Sequence, residues 1–129
     1  GVAVWGVEPE GAPGMHRSLK VGEAIHLESV NTVADGLAAP MAGVLNHALL
    51  AAHARGVMLV SDEQIIHALR LILERCKLLV EPAGAAAVAG LLEGLIPVEA
   101  DGPVVAVLSG GNADLERLGA LLRSDRPHV

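Results

Sequence analysis

The distribution of apolar residues along the chain predicts short buried strands separated by longer helices. An uninterrupted apolar run, Val2-Ala-Val-Trp-Gly-Val7, predicts a strand over residues 2–8. Val57 to Val60 and Val104 to Leu108 are similar short runs next to turn-forming residues, and they predict two further strands.

Helical periodicity fills the intervals between these runs. Gly22 predicts the end of the first helix, and Gly94 the end of the fourth. Residues 23–39 have no clear period and predict a loop-rich segment that ends in a turn signal at 32–36. The predicted helices cover residues 12–22, 42–54, 61–78, 83–92 and 114–122. Strands that alternate with helices predict an α/β fold with a largely parallel sheet.

The helix that follows residue 60 has the best-marked beginning. Ser61 and Gln64 have the spacing of a capping box, and Val60 and Ile65 have the spacing of a hydrophobic staple. Its apolar stripe consists of Ile65, Leu69, Ile72 and Cys76. We therefore expect Cys76 to be a core residue.

Composition narrows the possible functions mainly by exclusion. The chain has 129 residues, enough for one domain, and 52% of them are apolar, which argues against disorder. A formal charge of −6 without a basic stripe argues against a nucleic-acid partner. The chain contains no run of about 18 uncharged apolar residues, so no membrane span is predicted. The single cysteine fits a reducing compartment, so we expect a cytoplasmic protein.

Three glycine-bearing segments are candidates for chemistry. Ser109-Gly-Gly-Asn112 follows a predicted strand, at the end of a parallel sheet where α/β proteins bind ligands. A tight turn with an asparagine cap is the alternative. Glu81-Pro-Ala-Gly84 reads first as helix punctuation and close helix packing, and Asp35-Gly36 as a turn.

The remaining reactive side chains form no recognisable signature. His47 and His53 are six residues apart and do not share a helix face in the manner of a metal-binding pair. No serine, histidine and aspartate arrangement typical of a hydrolase is visible. The residues alone therefore predict an α/β domain with glycine turns at its strand ends.

Four motifs in register carry a resemblance to a known family. They are Gly6-Val-Glu-Pro-Glu-Gly-Ala12, Thr32-Val-Ala-Asp-Gly-Leu-Ala38, Val80-Glu-Pro-Ala-Gly-Ala-Ala86 and Leu108-Ser-Gly-Gly-Asn112. In order and separation they resemble the threonine/serine dehydratase and serine racemase group of fold-type II pyridoxal-phosphate enzymes, from about residue 2 to about residue 122. The resemblance implies a partial three-layer α/β/α fold of the tryptophan synthase β type. Residues 1–129 would be the C-terminal portion of the catalytic domain, with no regulatory domain.

The resemblance also implies roles for individual residues. Ser109 matches the serine whose hydroxyl binds the pyridine nitrogen of pyridoxal phosphate. Glu81 matches a carboxylate near the same ring edge, and Asp35 belongs to the loop that faces the substrate amine. The full implied cofactor site consists of Ser109, Gly110, Gly111, Asn112, Glu81, Gly84, Asp35 and Gly36.

Two further parts of the family's site depart from the pattern. Glu8 and the carbonyl of Ala12 match a cation site of some members, but the acid expected two residues later is Gly14. The lysine that binds the cofactor covalently and the glycine-rich phosphate loop have no counterpart. Lys20 and Lys77 are the only lysines, and neither has a pocket motif around it.

The implied activity is β-elimination from L-threonine or L-serine, which releases a 2-oxo acid and ammonia. We expect the isolated chain to be inactive without a missing N-terminal half, and we expect a homo-oligomer. An amino-acid racemase of the same family is one alternative. A non-catalytic α/β module that binds a partner or a small anion is the other.

Overall fold

The computed structural model describes residues 1–98 and 102–124 of the chain. Its two strands and five α-helices follow one another as β1 (Trp5–Pro9), α1 (Gly14–Val21), α2 (Val44–His53), β2 (Gly56–Val60), α3 (Asp62–Leu71), α4 (Pro82–Leu92) and α5 (Leu115–Ser124). A 3-10 turn covers Asp35–Leu37, and a π-helical turn, Ile72–Cys76, extends α3. None of the described helices is long and apolar enough to cross a membrane.

The sheet within the described residues is formed by β1 and β2, which run parallel. Their register joins Trp5 to Gly56 at one end and Pro9 to Val60 at the other. Parallel neighbours require a crossover, and α1 and α2 provide it. The predicted parallel α/β arrangement is therefore confirmed.

The strand predicted over residues 104–108 is wrong for the described part of the chain. This segment forms no ladder with β1 or β2. Val105 and Val107 are 81% and 71% exposed, although β-branched residues of a central strand are normally buried. An apolar run becomes a strand only where another backbone offers its hydrogen-bonding groups, and neither described strand does so here.

Local signals set the helix ends as predicted. The capping box is complete, because the Ser61 hydroxyl accepts from the Gln64 amide and the Gln64 side chain accepts from the Ser61 amide. Gly22 ends α1 in the left-handed conformation, with φ of 85°, which glycine adopts at little cost. Pro82, predicted only as helix punctuation before a helix at 83–92, is itself the first residue of α4, where its missing amide hydrogen is not needed.

The main core lies between α3, α4 and the sheet. Ile65 and Leu69 of α3 are fully buried, as are Ala85 and Ala89 of α4. The small side chains of α4 allow its backbone to approach its neighbours closely. At Gly90, for example, a Cβ would come within 3.0 Å of the Val7 side chain. The core is therefore built on close backbone approach rather than on large rings.

The prediction that Cys76 belongs to this core is wrong, since the residue is exposed. Ile72 continues the buried stripe at 3% exposure, but the helix leaves α-geometry at that residue. A π-turn has more residues per turn, so a stripe spaced for an α-helix rotates away from the core. Lys77 then ends the turn with a positive φ of 60°.

Candidate functional site

Three of the four glycine-bearing motifs meet at one cleft. The cleft has a volume of about 180 Å³ and lies between the 3-10 turn, the start of α4 and the start of α5. Of the residues predicted to bind the cofactor, it is lined by Asp35, Gly36, Glu81 and Asn112. The prediction that these distant segments share a site rested on resemblance, and the fold brings them together.

Backbone contacts join the third and fourth motifs at this cleft. The Glu81 amide donates to the Gly110 carbonyl at 2.9 Å. A Cβ at Gly84 would come closer than 3.0 Å to the carbonyl oxygen of Ser109, which side chains essentially never do. Gly84 therefore lets the first turn of α4 rest directly on the backbone of the Ser109 segment.

The carboxylate of Glu81 lies between two glycines. A Cβ at Gly36 would be 3.0 Å from its Oε1 atom, and a Cβ at Gly110 would overlap the carboxylate. Gly110 also has a φ of 77°, a conformation that disfavours other residues. The glycines of two motifs thus make room for the acid of the third.

Ser109 and Gly111 lie beside the cleft rather than in its lining. Both are exposed, and Ser109 touches the site through its carbonyl oxygen at Gly84. A Cβ at Gly111 would meet the Leu79 carbonyl at an ordinary 3.5 Å, so this glycine is not required by packing within the chain. The roles predicted for the Ser109 hydroxyl and for Gly111 remain predictions.

Arg117 is a cleft residue that the sequence analysis missed. Both of its terminal nitrogens donate to the Asp35 carboxylate, and Nη2 also donates to the Val33 carbonyl at 3.2 Å. The hydrogen bond from Arg117 lowers the pKa of Asp35. Burial acts in the opposite direction, and the charge of Arg117 adds to the lowering. The same contact raises the pKa of Arg117. The partners are 82 residues apart, so no local pattern could have linked them.

The residues predicted to hold a cation are engaged otherwise. Glu8 accepts hydrogen bonds from the backbone amides of Met15 at 2.9 Å and His16 at 2.8 Å, and so caps the N-terminus of α1. Ala12 is buried at the turn before this helix. In the described part of the chain, no three histidine, cysteine, aspartate or glutamate side chains come together as a possible metal site. The geometry favours a capping role for Glu8, and a cation at Glu8 and Ala12 stays a prediction.

Neither lysine reaches the cleft. Lys20 is exposed in the last turn of α1. Lys77 is exposed after the π-turn, and its ammonium group donates to the Glu74 carbonyl. Neither residue belongs to the cleft lining, in agreement with the absence of a pocket motif around either one.

Comparison with known proteins identifies the family of this fold and site. Residues 1–110 match the family model of pyridoxal-phosphate dependent enzymes. The chain belongs to this family. Pyridoxal phosphate is therefore the cofactor class to consider at the cleft.

Individual relatives indicate which members of the family this chain is similar to. The chain is 40% identical over 129 residues to the biosynthetic L-threonine dehydratase of Mycobacterium tuberculosis, covering 98% of this chain and 30% of that protein. The structure of the processed form of threonine deaminase isoform 2 from Solanum lycopersicum matches with a TM-score of 0.83 and 31% identity, over 95% of this chain and 36% of that one. Serine racemase from Dictyostelium discoideum matches with a TM-score of 0.76 and 34% identity, over 88% of this chain and 36% of that one. The chain thus spans about a third of the length of these relatives.

The cleft suits one end of a pyridoxal ring. The cleft has a volume of about 180 Å³, and Gly36 in its lining carries no side chain. Gly84 and Gly110 serve it indirectly, since they are packed against the Ser109 carbonyl and the Glu81 carboxylate. Glu81 and Asn112 supply a carboxylate and an amide at its wall. Arg117 is the cationic side chain among the described lining residues, and it is already paired with Asp35. The described lining therefore offers polar groups to a ring edge but no unpaired cation to a phosphate.

Proposed function

We propose that this chain is the C-terminal portion of the catalytic domain of a pyridoxal-phosphate-dependent lyase. The complete enzyme deaminates L-threonine or L-serine to a 2-oxo acid and ammonia, in the cytoplasm. The observation that carries the proposal is the convergence of the Asp35, Glu81 and Asn112 segments on one cleft. A non-catalytic module would not need three distant glycine motifs to fit together at one cleft.

In this proposal the residues of the chain shape and polarise the ring end of the cofactor. The cofactor, when bound, accepts electrons from the substrate carbon that loses its proton. Ser109 offers a neutral hydroxyl to the ring nitrogen, so the nitrogen is not held protonated as it would be by an aspartate. A neutral hydroxyl at this position would be adequate for elimination, because the departing β-hydroxyl carries away the electron pair. Asp35 and Gly36 form the wall that faces the amino group of the substrate.

Other parts of the site must come from sequence beyond this chain. The relatives are about three times as long, which leaves room for the cofactor lysine and the phosphate loop. A second groove, of about 490 Å³, supports a docking region for that missing half. It runs between the first residues of the chain and residues 102–106, and its lining is largely apolar. We propose that a strand of the missing half lies there, and that the complete enzyme is a homo-oligomer.

A segment exchange tests the proposed function. This chain replaces the matching segment of the M. tuberculosis L-threonine dehydratase. We expect the exchanged enzyme to bind pyridoxal phosphate, seen in its visible absorbance, and to release 2-oxo acid from L-threonine. The unaltered dehydratase is the positive control, and the isolated chain is the negative control. A folded exchanged enzyme that binds the cofactor but neither eliminates nor racemises would contradict the proposal.

A racemase is the second candidate, favoured by the structural match to serine racemase. Both reactions begin with removal of the proton from the carbon that bears the amino group. In a racemase a proton returns to this carbon, whereas in a lyase the β-hydroxyl leaves. Chiral analysis of the recovered serine separates them. Predominant D-serine formation, with little 2-oxo acid, would replace the lyase proposal by the racemase one.

A further inference from the structure

Arg117 occupies a special position in the cleft, because it connects two of the converging segments. Its guanidinium group holds both oxygens of Asp35 and the carbonyl of Val33. These acceptors belong to the turn of the second motif, whereas Arg117 stands in the first turn of α5, just after the fourth motif. A planar guanidinium that binds a carboxylate through two nitrogens fixes orientation as well as distance.

The helix side of this connection is anchored independently. Asp114 accepts hydrogen bonds from the amides of Glu116 at 2.9 Å and Arg117 at 3.1 Å, which caps α5. Leu118 is buried at 5% exposure in the main core. Further along, the Arg70 side chain donates to the Leu122 carbonyl. The backbone of Arg117 is therefore held in place without help from Asp35.

The turn side is anchored on either side of Asp35 and Gly36, because Ala34 is fully buried in the main core and Leu37 packs against it. Asp62 of α3 accepts from the Thr32 hydroxyl at 2.5 Å and from the Val33 amide at 3.0 Å. Asp35 and Gly36 themselves are exposed. Because Gly36 abuts the Glu81 carboxylate, any shift of the turn changes the width of the cleft.

We infer that Arg117 is a positioning residue, which sets the Asp35–Gly36 turn at its working distance from Glu81. The inference rests on the proposed function, since it assigns Arg117 to the substrate face of the cofactor cleft. The ion pair is exposed on both sides, at 47% for Arg117 and 65% for Asp35. Exposed pairs contribute little to folding stability, so the expected effect of Arg117 is on substrate binding.

The experiment uses the complete enzyme that carries this chain, or the exchanged enzyme described above. Arg117→Gln, Asp35→Asn and the double variant are compared with Arg117→Lys. Arg123→Gln is the matched control, because it removes the same charge from the same helix outside the cleft lining. Steady-state kinetics with L-threonine give kcat and KM, and hydrogen exchange of the Leu37 and Ala38 amides reports on the turn.

We expect Arg117→Gln to raise KM by roughly tenfold with a much smaller change in kcat, the signature of lost binding. The double variant should be no worse than the poorer single variant, because both changes break one interaction. Arg117→Lys should recover part of the loss, and Arg123→Gln should match the unmodified enzyme. The turn amides should exchange faster in Arg117→Gln, as their bonds to the Ala34 and Asp35 carbonyls loosen.

Two results would overturn the inference. One is an Arg117→Gln enzyme with the kinetics of Arg123→Gln. The other is additive loss in the double variant, which would mean that Arg117 does not act through Asp35. If Arg117→Gln does not fold, the KM of Arg117→Lys decides, and an unchanged value refutes the inference. Inactivity of the unmodified enzyme would instead refute the proposed function.

Discussion

The cleft at Glu81 and the apolar groove that borders β1 differ in how tightly the residues around them pack. At the cleft, backbone meets backbone, as where Gly84 rests on the Ser109 carbonyl, and Glu81 is bounded by glycines on two sides. At the groove, apolar side chains face open space, and Val2 and Val105 are 91% and 81% exposed. The described segments of the chain therefore pack tightly at this end of the cleft, whereas they leave the apolar groove open. Four experiments test this contrast.

The largest effect is expected at Gly84. Gly84→Ala places a Cβ against the Ser109 carbonyl, which cannot move without separating α4 from the fourth motif. We expect a loss of about 3 kcal/mol of unfolding free energy, measured by urea denaturation at low protein concentration.

Gly119→Ala is the matched control for Gly84→Ala, because it is also a helical glycine. Its Cβ would meet only the guanidinium of Arg123, at 3.4 Å, at the far end of a flexible side chain. There alanine should stabilise the helix by up to about 1 kcal/mol. Equal effects at the two glycines would mean that the cleft is not tightly packed.

The second change tests the groove. The isolated chain should self-associate through the apolar residues that border the groove. Val105→Lys should weaken this association by about tenfold or more. Sedimentation velocity over a range of concentrations measures the effect. Leu115→Lys is the control, since Leu115 is 68% exposed but does not line the groove. A monomeric chain at high concentration would contradict the view that the groove is incomplete.

The third change tests the chemistry proposed at the cleft. In the complete enzyme, Ser109→Ala should lower elimination roughly tenfold, the loss expected for one neutral hydrogen bond of about 1 kcal/mol. Ser109→Asp should hold the ring nitrogen in its protonated form. We therefore expect more racemisation or transamination per elimination. The measurements are 2-oxo acid release and conversion of the cofactor to its pyridoxamine form. Ser29→Ala, an exposed loop change, should alter neither quantity.

The smallest effect is expected from pH. Arg117 lowers the pKa of Asp35 in the folded chain, so the ion pair stabilises the fold above the ordinary pKa of aspartate. That contribution is lost as the pH falls through the lower, folded-state pKa. Arg117→Gln should therefore cost at most about 1 kcal/mol at neutral pH, and the difference should vanish in acid. Urea denaturation along a pH series measures it, and a difference that grows in acid would have the wrong sign.

Much of the fold was predictable because its signals are local. The Ser61 capping box and the Gly22 stop each depend on hydrogen bonds or backbone angles within about four residues. The predicted strand over 104–108 failed because pairing depends on another segment. Cys76 failed because a π-turn interrupted the period on which the prediction relied.

The cleft was predictable only in part. Resemblance named Asp35, Gly36, Glu81 and Asn112, and the fold brings these residues to one cleft. Arg117 was not found, since an arginine after a helix cap is typical of many exposed helices. Glu8 was interpreted as a possible cation ligand, because sequence cannot reveal that its oxygens meet the amides of α1.

Local sequence signals specify most helix ends, the parallel α/β arrangement and the motifs of the family, although α3 leaves α-geometry before its predicted end. Long-range packing places Gly36 and Gly110 beside Glu81, joins Arg117 to Asp35 and leaves residues 102–106 at the border of an open groove. The physical reason is one of range. Caps and turns are satisfied by near neighbours in the chain, whereas the partner of a side chain 82 residues away depends on the whole path of the backbone.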